Sequence, residues 1–300
     1  MQRERQIILD HRFENGFAVK PQTDGNNEII GYLTCGELRK TPTMVLAQWY
    51  CGYWVQNDVK EYSRHNILNG YRRENGMLYE WGDASKILRL NRDTGALELG
   101  LNASREYRKD RISGEPWPHI LIEYSTEIVP IDKVSSVILY LDFCLEKAAC
   151  RMSKEDEELH TAQFVWYAIL KNVNPCKRDF GKYIWFGCTL YDSRYEEIPL
   201  MADIDGGKEI NTGTLIYKPS TCEYLPKLPK VGEIGCIRYD ITEDLASAFA
   251  EGCRQGMFSD SEFSDMAITG GNIGWEVTGT YDVCMRIDRL ELNVREKKEG

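Results

Sequence analysis

Four carboxylates have the residue type and setting to do chemistry: Glu123, Asp142, Glu146 and Glu276, each within or beside an extended run that also carries rings or amides. Two carboxyl groups facing each other across roughly 5–10 Å cleave a glycosidic bond when desolvation keeps one protonated and the other stays ionised. Side chains two apart on a strand share a face, so His119, Tyr140, Gln163, Tyr167, Trp185 and Tyr191 are expected beside those acids, with Asp192 and Arg194 on the loop that follows. Sugars call for this mixture: their C–H faces stack on flat rings, and their hydroxyls need planar amide, carboxylate or guanidinium partners. The same rings are ordinary strand formers, and carboxylates on a sheet surface are more often structural. Asp192 and Arg194 either clamp hydroxyls or tie down their own loop, and His119 is a base, a sugar contact or a structural histidine.

Other chemistries are absent from the pattern. His11, His65, His119 and His160 show no metal-ligand spacing, and the ten cysteines contain no Cys-x-x-Cys pair. No glycine-rich phosphate loop links a strand to a helix, and Gly-x-Ser-x-Gly does not occur. With 37 Lys and Arg against 47 Asp and Glu, the net charge of -10 repels a phosphate backbone; the densest basic stretch, Arg105 to Arg111, is diluted by Glu106 and Asp110. Nucleic acid is therefore not an expected partner. Neither is a membrane, because even Val137 to Leu145 is interrupted by Asp142, far short of the roughly 20 apolar residues of a spanning helix. Met1 to Arg5 and the brief Ile7–Leu9 run do not read as an export segment, so reduced thiols and a cytoplasmic location are expected. Nothing in the sequence specifies an oligomeric state.

The elements that must position the candidate residues are strands. Lys182 to Tyr191 alternates Ile184, Phe186, Cys188 and Leu190 with Tyr183, Trp185, Gly187, Thr189 and Tyr191; Val137 to Glu146 sets Leu139, Leu141, Phe143 and Leu145 against Ile138, Tyr140, Asp142, Cys144 and Glu146. Further strands are expected at Lys86–Leu90, Leu97–Ala103, His119–Ser125, Gln163–Lys171, Gly213–Lys218, Gly235–Tyr239, Trp275–Thr278 and Tyr281–Leu292. Asn91 to Gly95, Asp205–Gly206–Gly207 and Gly270–Gly271–Asn272 read as turns, Ser153 to Leu159 as a solvated loop, and Lys218 to Lys230, with its three prolines, as a long loop. One helix is expected over Thr242 to Gln255, capped by Asp240 or Thr242. Together these predict an all-β fold, a two-sheet antiparallel jelly-roll sandwich with one short helix and long loops, forming one domain over residues 1–300.

The opening Ile7–Gly16 and the closing Trp275–Val283 and Arg286–Leu292 resemble the first and last strands of jelly-roll carbohydrate-binding modules of carbohydrate-active enzymes. The resemblance implies a carbohydrate ligand and a structural calcium near Glu14 and Asp288. Arg289 stands where that family commonly has a second acid, and Asp288 tying its own strand end is the competing account. The function expected from the sequence is recognition of an oligosaccharide on a sheet face. The alternatives are a glycoside hydrolase or polysaccharide lyase using a carboxylate pair on that face, and a protein-interaction scaffold.

Overall fold

The computed structural model describes residues 4–20, 28–37, 40–48, 50–51, 66–107, 110–112, 115, 117–152, 159–205 and 213–298. In chain order the strands are β1 (Arg5–Gln6), β2 (Phe17–Val19), β3 (Gly31–Leu33), β4 (Met44–Ala47), β5 (Tyr50–Cys51), β6 (Tyr71–Asn75), β7 (Leu78–Gly82), β8 (Lys86–Asn91) and β9 (Ala96–Asn102). They continue with β10 (Trp117–Pro130), β11 (Val134–Cys150), β12 (Ala162–Asn172), β13 (Tyr183–Asp192), β14 (Met201–Ile204), β15 (Leu215–Lys218), β16 (Ile234–Asp240), β17 (Met266–Val277) and β18 (Tyr281–Glu296); the helix α1 is Thr242–Arg254.

These strands form two sheets. The smaller runs β16-β11-β18-β9-β8-β7-β6, with β1 also on β18; the larger runs β14-β15-β13-β12-β17-β10-β4-β2-β3, with β5 also on β10. Successive strands cross repeatedly between the sheets: β10 lies in the larger, β11 in the smaller, β12 to β15 in the larger, β16 in the smaller, β17 in the larger and β18 in the smaller. This is the jelly-roll habit expected from the sequence. Pairing is antiparallel except for β13 with β15 and β2 with β4, which are parallel.

Period-two alternation decides what lies between the sheets. Leu139, Leu141, Phe143 and Leu145 of β11, and Ile184, Phe186, Cys188 and Leu190 of β13, are all buried in one contiguous apolar cluster spanning both sheets. Each such side chain contributes roughly 1.5–3 kcal/mol by leaving water. Trp275 shows how the layers are tied: its ring lies 4.9 Å from that of Phe164, and its indole N–H donates to the Leu99 carbonyl of the opposite sheet at 3.0 Å, so the buried polar atom is satisfied.

The helix closes one side of the sandwich, packing Leu245, Ala248 and Phe249 where β13 and β11 approach. Ile241 holds the cap position without a side-chain bond, while Asp240 accepts the Thr242 N–H at 3.2 Å from one residue further out. At Asn91 to Gly95 the turn forms as its chemistry requires, with Gly95 at φ +80 and Asn91 Oδ1 accepting the Asp93 N–H at 3.0 Å.

Gly270–Gly271–Asn272 is no turn: it lies inside β17, which begins at Met266. A Cβ on Gly271 would stand 1.9 Å from the Tyr167 carbonyl oxygen and 2.4 Å from the Tyr124 hydroxyl, so this glycine serves a close approach between strands. Strands β10 and β11 run well beyond their expected ends, and β1 to β7 and β14 were not expected, being short or weakly alternating. Residues 153–158 of the expected solvated loop, His65, and Gly206 and Gly207 of the expected turn lie outside the described residues. Among the described residues no helix is long and apolar enough to cross a membrane, and the nine cysteines with described side chains are free thiols.

Candidate functional site

The candidate residues divide between opposite outer faces of the sandwich. Tyr140, Asp142 and Glu146 belong to β11 in the smaller sheet; His119, Glu123, Gln163, Tyr167, Trp185 and Glu276 belong to β10, β12, β13 and β17 in the larger. The single trough combining Tyr140 and Asp142 with Trp185 is therefore not formed. Alternation fixes which side of its own sheet a residue occupies and leaves open which sheet that is.

On the smaller sheet the candidates are taken up by a ladder of charge. Asp142 stands across from Arg289, and Glu146 is paired with Arg286, which also donates to Asp288 at 2.9 Å. The Tyr140 ring lies under Arg289 at 4.4 Å and Arg238 at 5.6 Å, and its hydroxyl donates to Glu4 at 2.8 Å. The ladder continues through Arg89, held between Glu80 and Glu98. Glu14 lies 3.8 Å from Arg12. Glu14 and Asp288 thus face guanidinium groups, and among the described residues no three His, Cys, Asp or Glu side chains gather as a metal would need, so this oxygen set does not fit a calcium ion.

The outer face of the larger sheet is built in rows set by register, since residues opposite each other in an antiparallel ladder share a face. The first row is His119, Glu276, Gln163 and Asp192; the next is Leu121, Gly274, Val165 and Thr189; the third is Glu123, Asn272, Tyr167 and Gly187. Trp185 follows opposite Ile169, and Tyr183 opposite Lys171. Tyr167 and Trp185 meet edge to face at 5.7 Å, as do Trp185 and Tyr183 at 5.6 Å, giving a continuous, partly exposed aromatic run.

Tyr191 leaves this face. A bulge shifts the register so that Phe164 pairs with Tyr191 but Val165 with Thr189, leaving Leu190 as the extra residue. Tyr191 consequently turns inward, its ring 5.8 Å from that of Trp275, and Asp192 takes the outward position. Asp192 is buried and accepts from the Arg194 backbone N–H and Nε, each at 3.0 Å, and from its Nη2 at 2.8 Å. These bonds tie the pair to its own loop.

Glu276 lies half exposed between an imidazole and an indole. Its side chain is 42% exposed, and Oε1 lies 3.1 Å from Nε2 of the nearly buried His119; the Trp117 indole, 3.2 Å from the same nitrogen, also reaches toward this carboxylate. Burial works to raise the Glu276 carboxyl, but His119, Lys218 and Trp117 together outweigh it and hold the group below its ordinary 4.5. The neighbouring Tyr167 phenol is pushed far above its ordinary range by burial, with Glu276 adding to the effect, and stays neutral. Glu123 is bonded to Lys20 at 2.6 Å. It lies four residues along β10 from the residue opposite Glu276, a backbone offset of about 13 Å at the usual strand rise, so these two acids do not form the expected close pair.

Sequence reasoning missed Trp117, Asn272 and Lys218 on this face; it placed Thr189 there without giving it a role. Lys218 follows Ile216 at period two, which was a usable signal, but its place at a strand end made it look like the start of a loop.

No family model matches the chain, and no curated protein sequence does. Among solved structures the chain is similar to a family 12 xyloglucanase from Bacillus licheniformis (TM-score 0.43, 13% identity, 77% of this chain and 98% of that one). It is also similar to the endoglucanase cel12A from Rhodothermus marinus (0.41, 9%, 76% and 97%) and a family 11 xylanase from Neocallimastix patriciarum (0.40, 11%, 77% and 97%). At these values no residue's role carries over from those proteins to this one.

Proposed function

We propose that this protein is carbohydrate-active: the outer face of the larger sheet holds a glycan, and Glu276 is the carboxylate that takes part in cleaving it. The observation that carries this is the placing of an ionised, solvent-reachable carboxylate on the same face as the Tyr167–Trp185–Tyr183 run. The rings offer flat surfaces for sugar C–H faces, Gln163 and Asn272 offer amides for hydroxyls, and Glu276, charged at neutral pH, serves as base or nucleophile. His119 orients that carboxylate, acting as a positioning residue. Both hydrolysis and elimination release a new reducing end; an unsaturated non-reducing end on the other fragment marks elimination, and a saturated one marks hydrolysis.

Recognition without cleavage is the second reading, and a specific observation favours it: of the other acids on this face, Glu123 is engaged by Lys20 and Asp192 by Arg194. A panel of oligosaccharides, assayed in parallel for binding and for released ends, separates the readings. Turnover abolished by Glu276→Gln with affinity retained supports cleavage. Binding with no product under any condition leaves recognition alone. Failure of the intact protein to bind any glycan overturns both and returns the aromatic run to a protein-interaction role.

A further inference from the structure

Lys218 ends β15 on this same outer face and is only 7% exposed. Its stem lies over Gly187: a Cβ built there would stand 3.3 Å from Lys218 Cγ and 2.5 Å from Tyr167 Cε1, so the lysine stem and the tyrosine ring share the space a side chain would fill. Among the described residues the ammonium makes no hydrogen bond and no ion pair. The charged groups that act on it are Glu276 and Asp192, which favour its charge, and Arg194, which opposes it; burial is the largest influence and lowers its pKa. Thr189 lies one row from Gly187 on β13, and among the described residues its fully buried hydroxyl makes no hydrogen bond. A nearly buried ammonium with no protein partner is poorly solvated, which favours a ligand that offers it an acceptor. Such a group, on the face that carries the half-exposed Glu276 carboxylate and the Tyr167 ring, marks a place where a ligand can supply the missing bond.

We propose that Lys218 and Glu276 are the two arms of a clamp that grips adjacent hydroxyls of an uncharged sugar whose ring lies against Tyr167. This rests on the glycan-binding reading above and names the sugar class it takes. An ammonium only donates and a carboxylate only accepts, whereas a sugar hydroxyl does both. One hydroxyl can accept from Lys218 and its neighbour donate to Glu276, each strengthening the other. Charge selects against an acidic sugar. With His119 neutral, Lys218 and Arg194 balance Glu276 and Asp192, and Asp205 adds a negative charge near Tyr167, so a uronate would bring an uncompensated anion beside Glu276 on a chain of net charge -10.

The test titrates the full-length protein with cellotetraose, xylotetraose and tetragalacturonate, using wild type, Lys218→Met and Trp185→Ala. Methionine keeps the stem's bulk and removes the ammonium. The expected result is that a neutral tetrasaccharide binds wild type, that Lys218→Met weakens it at least tenfold, and that the melting temperature of Lys218→Met is equal to or above wild type. On wild type alone, mono-deoxy analogues of the bound sugar should lose at least fivefold at two adjacent positions, a measurement that needs no variant to fold. If Lys218→Met binds within twofold of wild type while Trp185→Ala does not, the clamp is overturned and the glycan face survives. A wild-type preference for tetragalacturonate that Lys218→Met abolishes overturns the uncharged-sugar assignment. If no glycan binds wild type, the functional reading fails and the clamp with it.

Discussion

The two outer faces of this sandwich carry nearly the same side chains, rings with acids and bases, and differ in how completely those groups satisfy one another. On the smaller sheet every candidate has met an opposite charge: Asp142 faces Arg289, Glu146 pairs with Arg286, and Tyr140 sits beneath two guanidinium groups with its hydroxyl on Glu4. On the larger sheet the rings of the aromatic run meet edge to face, Glu276 faces an imidazole and an indole, and Lys218 has no partner among the described residues. A closed ladder of charges stabilises a surface modestly and leaves little for a ligand to bind. Residual hydrogen-bonding capacity beside flat rings is what separates a ligand face from a solvated one, and composition does not report it.

The comparison breaks most readily at Glu276. Glu276→Gln is expected to lower turnover by about 10²–10⁴-fold while changing affinity only a few-fold, measured as product formation against calorimetric binding. Unchanged turnover would place cleavage elsewhere or remove it. The acid limb of activity provides the next test: because Glu276 lies below 4.5, its active, ionised form persists to lower pH than an ordinary glutamate and is lost as pH falls through that depressed value. Replacing His119 with Phe removes one of the influences that overcome burial, so the acid limb should move to higher pH in a pH–rate profile; an unmoved limb would show that the pair is not coupled.

Asp179 tests the support beneath the aromatic run. It anchors the turn from β12 to β13 by accepting from Lys182 at 2.7 Å and from the Asp260 and Ser259 N–H groups, each at 2.8 Å, and these bonds hold its carboxyl far below 3.8. With the folded value depressed, this contribution is complete above 3.8 and fades as pH falls below it toward the folded value. Asp179→Asn should therefore cost about 2 kcal/mol near neutral pH and flatten the acid end of the stability curve, read by denaturant titration. The smallest effect is expected on the other sheet. Asp142→Asn and Glu146→Gln should leave binding and turnover within twofold and stability within about 0.5 kcal/mol. A large functional loss there would erase the distinction between the faces.

Much of the sandwich was legible because period-two alternation is a local property. The inward sets of β11 and β13 could be named from sequence alone, and the helix came within a residue or two of its bounds. The glycines of β17 were misplaced because glycine marks both turns and close approaches, and only the neighbouring Tyr124 and Tyr167 distinguish them. The site was half legible for a related reason. His119, Gln163, Tyr167, Trp185 and Glu276 share a face because register aligns them, but sheet membership separates Tyr140, and one extra residue at Leu190 turns Tyr191 inward. Register and partner sheet are long-range quantities that a pattern within one strand does not contain.

The measurement that bears most directly on the account is calorimetric affinity for a glycan bound by the intact protein, compared between Trp185→Ala and Tyr140→Ala. One ring belongs to the unsatisfied face and the other to the satisfied one. The account predicts a loss of about tenfold for Trp185→Ala, the order expected for one stacked ring, and a change within twofold for Tyr140→Ala. Equal losses, or a loss confined to Tyr140→Ala, would contradict it.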